Sequence, residues 1–272
     1  MSEIQVLLQG LTADSGELVT FREGTVQWVI FNRPRARNAM TWGMYERLVQ
    51  VCQEVNADRS VRALVLTGAG GAFVAGTDIA QFRSFSTEQH VLDYEARGNH
   101  VMDTIERVRV PTIAAIAGPC TGGGAAMASC CDLRLASPSA RYGFPIARTL
   151  GNCLSIENYA RLSALLGLAK LKDIIFTSRL MDAPEMLACG LVRDIVADEE
   201  ALIPEAEALA ARVAANAPLT LQVTKEALRR VRNQTIPPEG AADLILTCYM
   251  SSDFHEGVEA FLAKRKPAWT GA

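Results

Sequence analysis

Neither sign of charge predominates in this chain. Its 27 basic and 30 acidic side chains leave a formal net charge of −3, so no basic footprint points to nucleic acid or to an anionic membrane surface. Histidine is rare. The three present, His90, His100 and His255, are too few for a histidine-rich metal centre. No apolar run approaches the roughly 20 residues that a membrane-spanning helix needs. The opening MSEIQVLLQG lacks the basic start and apolar stretch of a secretion signal, and the closing AWTGA carries no peroxisomal address. Seven cysteines form an odd, scattered set, and the adjacent Cys130 and Cys131 fit neither C-x-x-C spacing nor a nearby histidine. These absences predict a cytoplasmic protein with reduced, buried thiols, no metal, and no nucleic-acid or membrane partner.

What is present is a foldable chain. A length of 272 residues with 49% hydrophobic and 21% charged content supports one large domain, or a domain with an appendage, and argues against disorder. Residues 18–32, LVTFREGTVQWVIFN, alternate around Gly24 as a hairpin does. Thr41 is placed to cap a helix whose Met44, Leu48, Val51, Cys52 and Val55 share one face. RALVLTG (62–68) reads as a buried strand, and Ser86 with Gln89 reads as a capping box for a helix running to about Val108. A strand at 112–117, a glycine turn, a short helix over 124–131 and a strand at 132–137 follow. A helix is expected from about Ser155 to Leu166, then one from Pro184 that ends near Gly190, then a short strand. From about Pro204 the pattern is helical, interrupted at NAPLT and TIPPEG. Strands alternating with helices imply an α/β core, and the helical tail implies a cap or an assembly module.

The turn itself, TGGGAA (121–126), carries the first chemical hint. Consecutive glycines cost stability inside regular structure and belong where the backbone turns sharply or approaches something closely. Amides at the helix start behind them are unpaired and sit at the positive end of the helix dipole, which suits a negative oxygen. Tight strand–helix packing would need the same glycines.

A second glycine loop, AGTDI (75–79), NRPRARNAM (32–40) before it, GLVRDIV (190–196) after it and the closing FLAKRKPAW complete a specific combination. With these blocks in this order, the chain resembles the crotonase superfamily, the enoyl-CoA hydratase/isomerase family, from about residue 18 to 267. The resemblance implies a spiral of ββα units over residues 1–203 and a helical trimerisation region over 204–272, giving a homotrimer or a dimer of trimers. It implies an acyl-CoA thioester as substrate, coenzyme A entering only as part of that substrate, and no tightly bound cofactor. It places two oxyanion-hole amides on Thr77 and Gly123. Gly122 and Gly124 would let the backbone reach the ligand beside Gly76, and Asp78 would hold the opposing loop in shape. The adenosine portion would lie near Arg35, Ala36 and Ala75, and Phe261 and Lys264 would meet the CoA of a neighbouring subunit. A lysine carried by many relatives two positions after the Asp78 equivalent is Ala80 here.

The chain departs from the family's hydratases at both catalytic glutamates. The first position is Ala126, and the second, in YGFPIARTLG, is Ile146. Neither has an ionisable group, whereas adding water to an enoyl thioester needs a base for the water and an acid for the α-carbon. One extra residue stands between Pro145 and Gly151, and the usual glycine-rich helix start becomes LSIEN (154–158). Glu157 there is either an acid suited to the first turn of a helix or a replacement base. Arg148 either pairs with a carboxylate on the acyl group or braces nearby acids. Cys153 is either an activated nucleophile or a small buried thiol, and His100 is a helical histidine or a recruited catalyst. Phe144, Ile146 and Leu150 would line an apolar acyl pocket or else pack in the core.

Overall fold

The computed structural model describes residues 1–235 and 242–272. A helix that the pattern does not announce, α1 (Glu3–Gly10), begins the chain, with Ile4 fully buried. The hairpin follows as β1 (Leu18–Glu23) and β2 (Val26–Phe31), turning through Gly24 at φ 56°. Then come α2 (Trp42–Ala57), β3 (Ala63–Gly68) and α3 (Glu88–Glu106). Thr41 caps α2 by accepting from the Met44 amide, and the five expected apolar residues of α2 are all buried. The cap of α3 is Thr87 rather than Ser86: its hydroxyl accepts from the His90 amide. The S-x-x-Q signal was one residue early because Ser86 and Thr87 are both competent caps and the spacing alone does not rank them.

Two full ββα turns succeed one another. The first is β4 (Thr112–Ile116), β5 (Pro119–Thr121) and α4 (Gly123–Cys130). The second is β6 (Leu133–Ala136), β7 (Arg141–Gly143), a one-turn α5 (Ile146–Thr149) and α6 (Ile156–Phe176). The chain leaves helical geometry at Gly167 (φ 73°, ψ 155°), where the helix was expected to end, and then resumes. β8 (Met181–Asp182), α7 (Ala183–Ala188) and β9 (Asp194–Ile195) complete the spiral. The first strands of successive turns build a six-stranded sheet in the order β1-β2-β3-β4-β6-β9, parallel except for β1 against β2. The second strands build a smaller sheet, β5-β7-β8.

The period-2 alternation of the strands divides the interior. On β2 and β3, Val29, Phe31, Leu64 and Leu66 face the larger core shared with α2, α3, α4 and the smaller sheet. Trp28, Ile30, Ala63 and Val65 face the other way, beneath α8 (Leu202–Ala214) and its Leu202, Ala206, Leu209 and Ala210. The boundary drawn between 203 and 204 therefore falls inside the helix that closes the second face of the sheet. Beyond it lie α9 (Pro218–Asn233), α10 (Ala242–Tyr249) and α11 (Ser252–Leu262). The NAPLT break separates α8 from α9, whereas the break at 235–240 lies, apart from Thr235, outside the described residues.

Candidate active site

The spiral presses the two glycine loops together. Val74 donates to the Pro119 carbonyl at 3.1 Å and accepts from the Thr121 amide at 3.0 Å, so the 69–79 loop is stitched to β5. Gly76 (φ 105°) and Gly122 (φ 53°) meet there, and a Cβ on Gly122 would lie 3.7 Å from the Gly76 Cα. Both take backbone angles that a side chain disfavours. Gly124 serves a different purpose from the expected one: it is buried, and a Cβ would fall 2.1 Å from the Val74 carbonyl oxygen. It lets α4 press onto the loop and forms no part of the ligand-facing surface.

Hydrogen bonds from the 33–40 segment fix the first loop. Met40 donates to Gly76 at 2.8 Å, Asp78 donates to Met40 at 2.9 Å, and Ala75 donates to Arg37 at 3.0 Å. Asp78 accepts from its neighbouring Ala80 amide and from Arg33 at 3.0 Å, which ties down the loop end. This extended pairing uses the Gly76 carbonyl and the Asp78 amide on either side of Thr77 and leaves the Thr77 amide out of the ladder. The Gly123 amide opens the first turn of α4, where no helical acceptor exists. Among the described residues, neither amide has a hydrogen-bond acceptor.

Thr77 and Gly123 both border a cavity of about 640 Å³, together with Ala75, Gly76 and Gly122. Aromatic residues are sparse in the chain, at 6%, yet Trp42, Tyr45, Phe82 and Tyr94 gather on one wall, in tilted or edge-on contacts at 5.0–6.5 Å. Ala126, Ile146 and Leu150 line the same space, so the two positions that the resemblance assigns to the hydratase glutamates present hydrocarbon to the cavity. Phe144 instead packs edge-on against Tyr142 in the core. In this segment the Ile146 carbonyl of α5 accepts from Leu150 and from Gly151.

The ionisable groups of the cavity come mainly from α2 and α3. Glu46, Glu95, His100 and Cys153 all line it. Burial raises the Glu95 carboxyl above its usual range, and the negative charge of Glu157 adds to the rise. Glu157 itself is exposed, outside the cavity lining, and accepts from Asn99 Nδ2 at 3.0 Å. Asn99 in turn accepts from Ser155, the cap of α6, at 2.7 Å. Cys153 is exposed at the cavity mouth, not a buried thiol. The Tyr45 hydroxyl lies 2.9 Å from Thr77 Oγ1. Burial pushes its ionisation far upward, against a smaller opposing effect of that hydrogen bond, so the phenol keeps its proton.

Other expected site residues lie elsewhere in the single chain. Arg35 is exposed and Ala36 half-buried on the turn at Pro34–Ala36, outside the cavity lining, and Arg148 is exposed on α5, also outside it. Phe261, 84% exposed, borders a separate groove of about 420 Å³ with Val258 and Trp269. Lys264 sits just past α11 at φ 53°. Tyr45, Tyr94 and Glu95 were not singled out from the sequence. A usable signal existed, because Trp42, Tyr45 and Val49 form a second stripe beside the core face of α2, and Glu95, Asn99 and Met102 form one on α3.

The enoyl-CoA hydratase/isomerase family model matches residues 22–272. The chain is 35% identical over 248 residues to the short-chain-enoyl-CoA hydratase of Clostridium acetobutylicum, covering 90% of this chain and 94% of that protein. It is 32% identical over 252 residues to the crotonyl-CoA hydratase of Syntrophomonas wolfei, covering 92% and 96%. Among solved structures, an enoyl-CoA hydratase/carnithine racemase from Magnetospirillum magneticum superposes with a TM-score of 0.87 at 34% identity, over 94% of this chain and 96% of that one.

Proposed function

The chain belongs to the enoyl-CoA hydratase/isomerase family and has the crotonase fold, and from that premise we propose that it processes an acyl-CoA thioester through an enolate held by the amides of Thr77 and Gly123. The observation that carries this reading is the convergence of two amides without acceptors on one cavity, one of them at a helix start. When a proton or a carbon substituent leaves the α-carbon, negative charge develops on the thioester oxygen. Donors already in place stabilise it without reorganising, each worth roughly 2.7–4 kcal/mol. Asp78 keeps Thr77 in position, and Gly76 and Gly122 leave room for the carbonyl. The acyl group lies between the aromatic wall and Ile146, and the adenosine end runs past Ala75 toward Ala36 and Arg35. In an assembled trimer, Phe261 and Lys264 of a neighbouring copy meet the CoA.

Proton handling must differ from that of a two-glutamate hydratase. Glu95 is the proton acceptor in this reading, with its proton affinity raised by burial, and Glu157 acts on it through charge. Chemistry confined to the α-carbon, such as a double-bond shift or loss of a carbon substituent, suits this set better than water addition.

Calorimetry with acetyl-CoA should give a micromolar-range Kd. Mass spectrometry of acyl-CoAs incubated with enzyme in D2O should show α-hydrogen exchange that slows on Glu95→Gln by about 10²–10⁴-fold. A folded protein that binds no acyl-CoA overturns the reading. Binding without exchange or turnover across an acyl-CoA panel makes the chain a binding subunit.

A further inference from the structure

Tyr45 follows the buried Met44 on α2 and so sits about 100° round the helix from it, at the edge of the core stripe and on the cavity side. Its ring leans on Trp42 at 6.1 Å, and its hydroxyl reaches the seam of the two glycine loops. A methyl group built on Gly123 would lie 2.6 Å from Tyr45 Oη, 3.3 Å from Thr77 Oγ1 and 3.7 Å from the Thr77 amide nitrogen. The phenol thus fills the space that any side chain at Gly123 would need, next to both acceptor-free amides. Two hydroxyls 2.9 Å apart share one hydrogen bond, and each carries one proton. The Tyr94 hydroxyl also bonds the Thr77 side chain, so with Tyr94 donating into Thr77 and Thr77 into Tyr45, the phenolic proton of Tyr45 remains for a further group.

We propose that Tyr45 is a third hydrogen-bond donor to the thioester oxygen, aimed by the Thr77 hydroxyl and set beside the amides of Thr77 and Gly123. With Thr77 Oγ1 donating to Tyr45 Oη, the phenolic proton points at the carbonyl. Tyr45 then contacts substrate, and the Thr77 side chain is a positioning group. A third donor raises the stabilisation of the enolate without any proton leaving the phenol, in a site where Ala126 and Ile146 supply no acid.

This inference rests on the enolate reading, and isotope-edited infrared spectroscopy of bound acetyl-CoA, labelled with 13C at the carbonyl, separates the two. In the wild-type protein the carbonyl stretch should fall below its value in solution. Tyr45→Phe should recover part of that fall, weaken acetyl-CoA binding by about tenfold at most, and slow α-hydrogen exchange in D2O by about 10²–10³-fold. Thr77→Val should move the band the same way, and Thr77→Ser should restore it. Replacing Tyr45 with 3,5-difluorotyrosine, a stronger donor of the same shape, should lower the stretch further and serves if the Phe variant does not fold. A folded Tyr45→Phe protein with the wild-type band and exchange rate overturns the role of Tyr45 while leaving the enolate reading intact. A fluorinated protein with an unmoved band does the same. A wild-type protein that binds acetyl-CoA without shifting its carbonyl overturns both.

Discussion

In the proposed reading, Ala126 and Ile146 deny the cavity the two carboxylates of a hydratase. Both border the same space as the Thr77 and Gly123 amides, and both present only hydrocarbon to it. Crotonyl-CoA hydration should therefore be slow or undetectable by absorbance assay. The two losses will not multiply, because residues that act as a unit are non-additive. Installing Ala126→Glu with Ile146→Glu should raise hydration, and a fast wild-type hydratase would place the acid and base elsewhere, with Glu95 and Glu157 the first to replace. The pH profile of α-hydrogen exchange tests Glu95 separately. Burial and, after it, Glu157 raise its folded carboxyl above the usual carboxylate range, so exchange driven by the carboxylate should rise with pH along a limb displaced upward from that range. Glu157→Gln removes the like charge, lowers the affinity of Glu95 for its proton and should move the limb to lower pH. A limb that stays in place would separate Glu157 from the chemistry. The places of Ala126 and Ile146 on the cavity were legible in the sequence, through their fixed spacing from the glycines. Tyr45 and Glu95 were not, since helix periodicity tells which side chains share a face but not which foreign loop that face meets.

Buried ion pairing, rather than the strand pattern, joins α3, α6 and α9. Arg161 of α6 is almost wholly buried and pairs with Glu106 of α3 at 2.9 Å, and Arg232 of α9 also clasps Glu106. Burial opposes the charged form of Glu106, but the two guanidinium groups outweigh it and hold the carboxyl below its usual range. A carboxyl lowered in the folded state contributes stability above its unfolded value, and that contribution is lost as pH falls through the folded value. Glu106→Gln should thus destabilise by about 3–5 kcal/mol at neutral pH, in chemical denaturation, with the deficit shrinking as pH drops below about 4.5. An equal deficit at both pH values would mean that packing, not charge, ties these helices. Gly124→Ala tests a second junction: its Cβ would strike the Val74 carbonyl at 2.1 Å, so α4 must shift, costing about 1–3 kcal/mol. Caps such as Thr41 and Ser155 were legible because a hydroxyl before an apolar stripe has few alternatives. α1 escaped notice although Ser2 and Gln5 form the S-x-x-Q pair of a capping box, the Ser2 amide donating to Gln5 Oε1 at 2.8 Å.

At the scale of the whole molecule, the helical tail divides its labour. α8 closes the core, whereas α10, α11 and the turn between them expose Leu246, Met250, Phe261 and Leu262, the last two at 84% and 70%. Side chains of this kind in adjacent helices leave apolar area in water, and burying it drives association at about 25 cal/mol per Å². Light scattering at micromolar concentration should give three times the 29.4 kDa of the chain, or six times if trimers pair. Leu246→Asp should lower the mass to that of one chain, because a charge buried in an apolar contact costs several kcal/mol. If Phe261 and Lys264 meet a neighbour's CoA, Leu246→Asp should also weaken acyl-CoA binding, although residue 246 borders no cavity described here. Lys264→Ala should then weaken CoA more than dephospho-CoA in the assembled protein and change neither in the dissociated one. A wild-type monomer would leave Phe261 and Lys264 without a second cavity to meet, and each copy would have to hold its ligand with the residues around Thr77 and Gly123 alone.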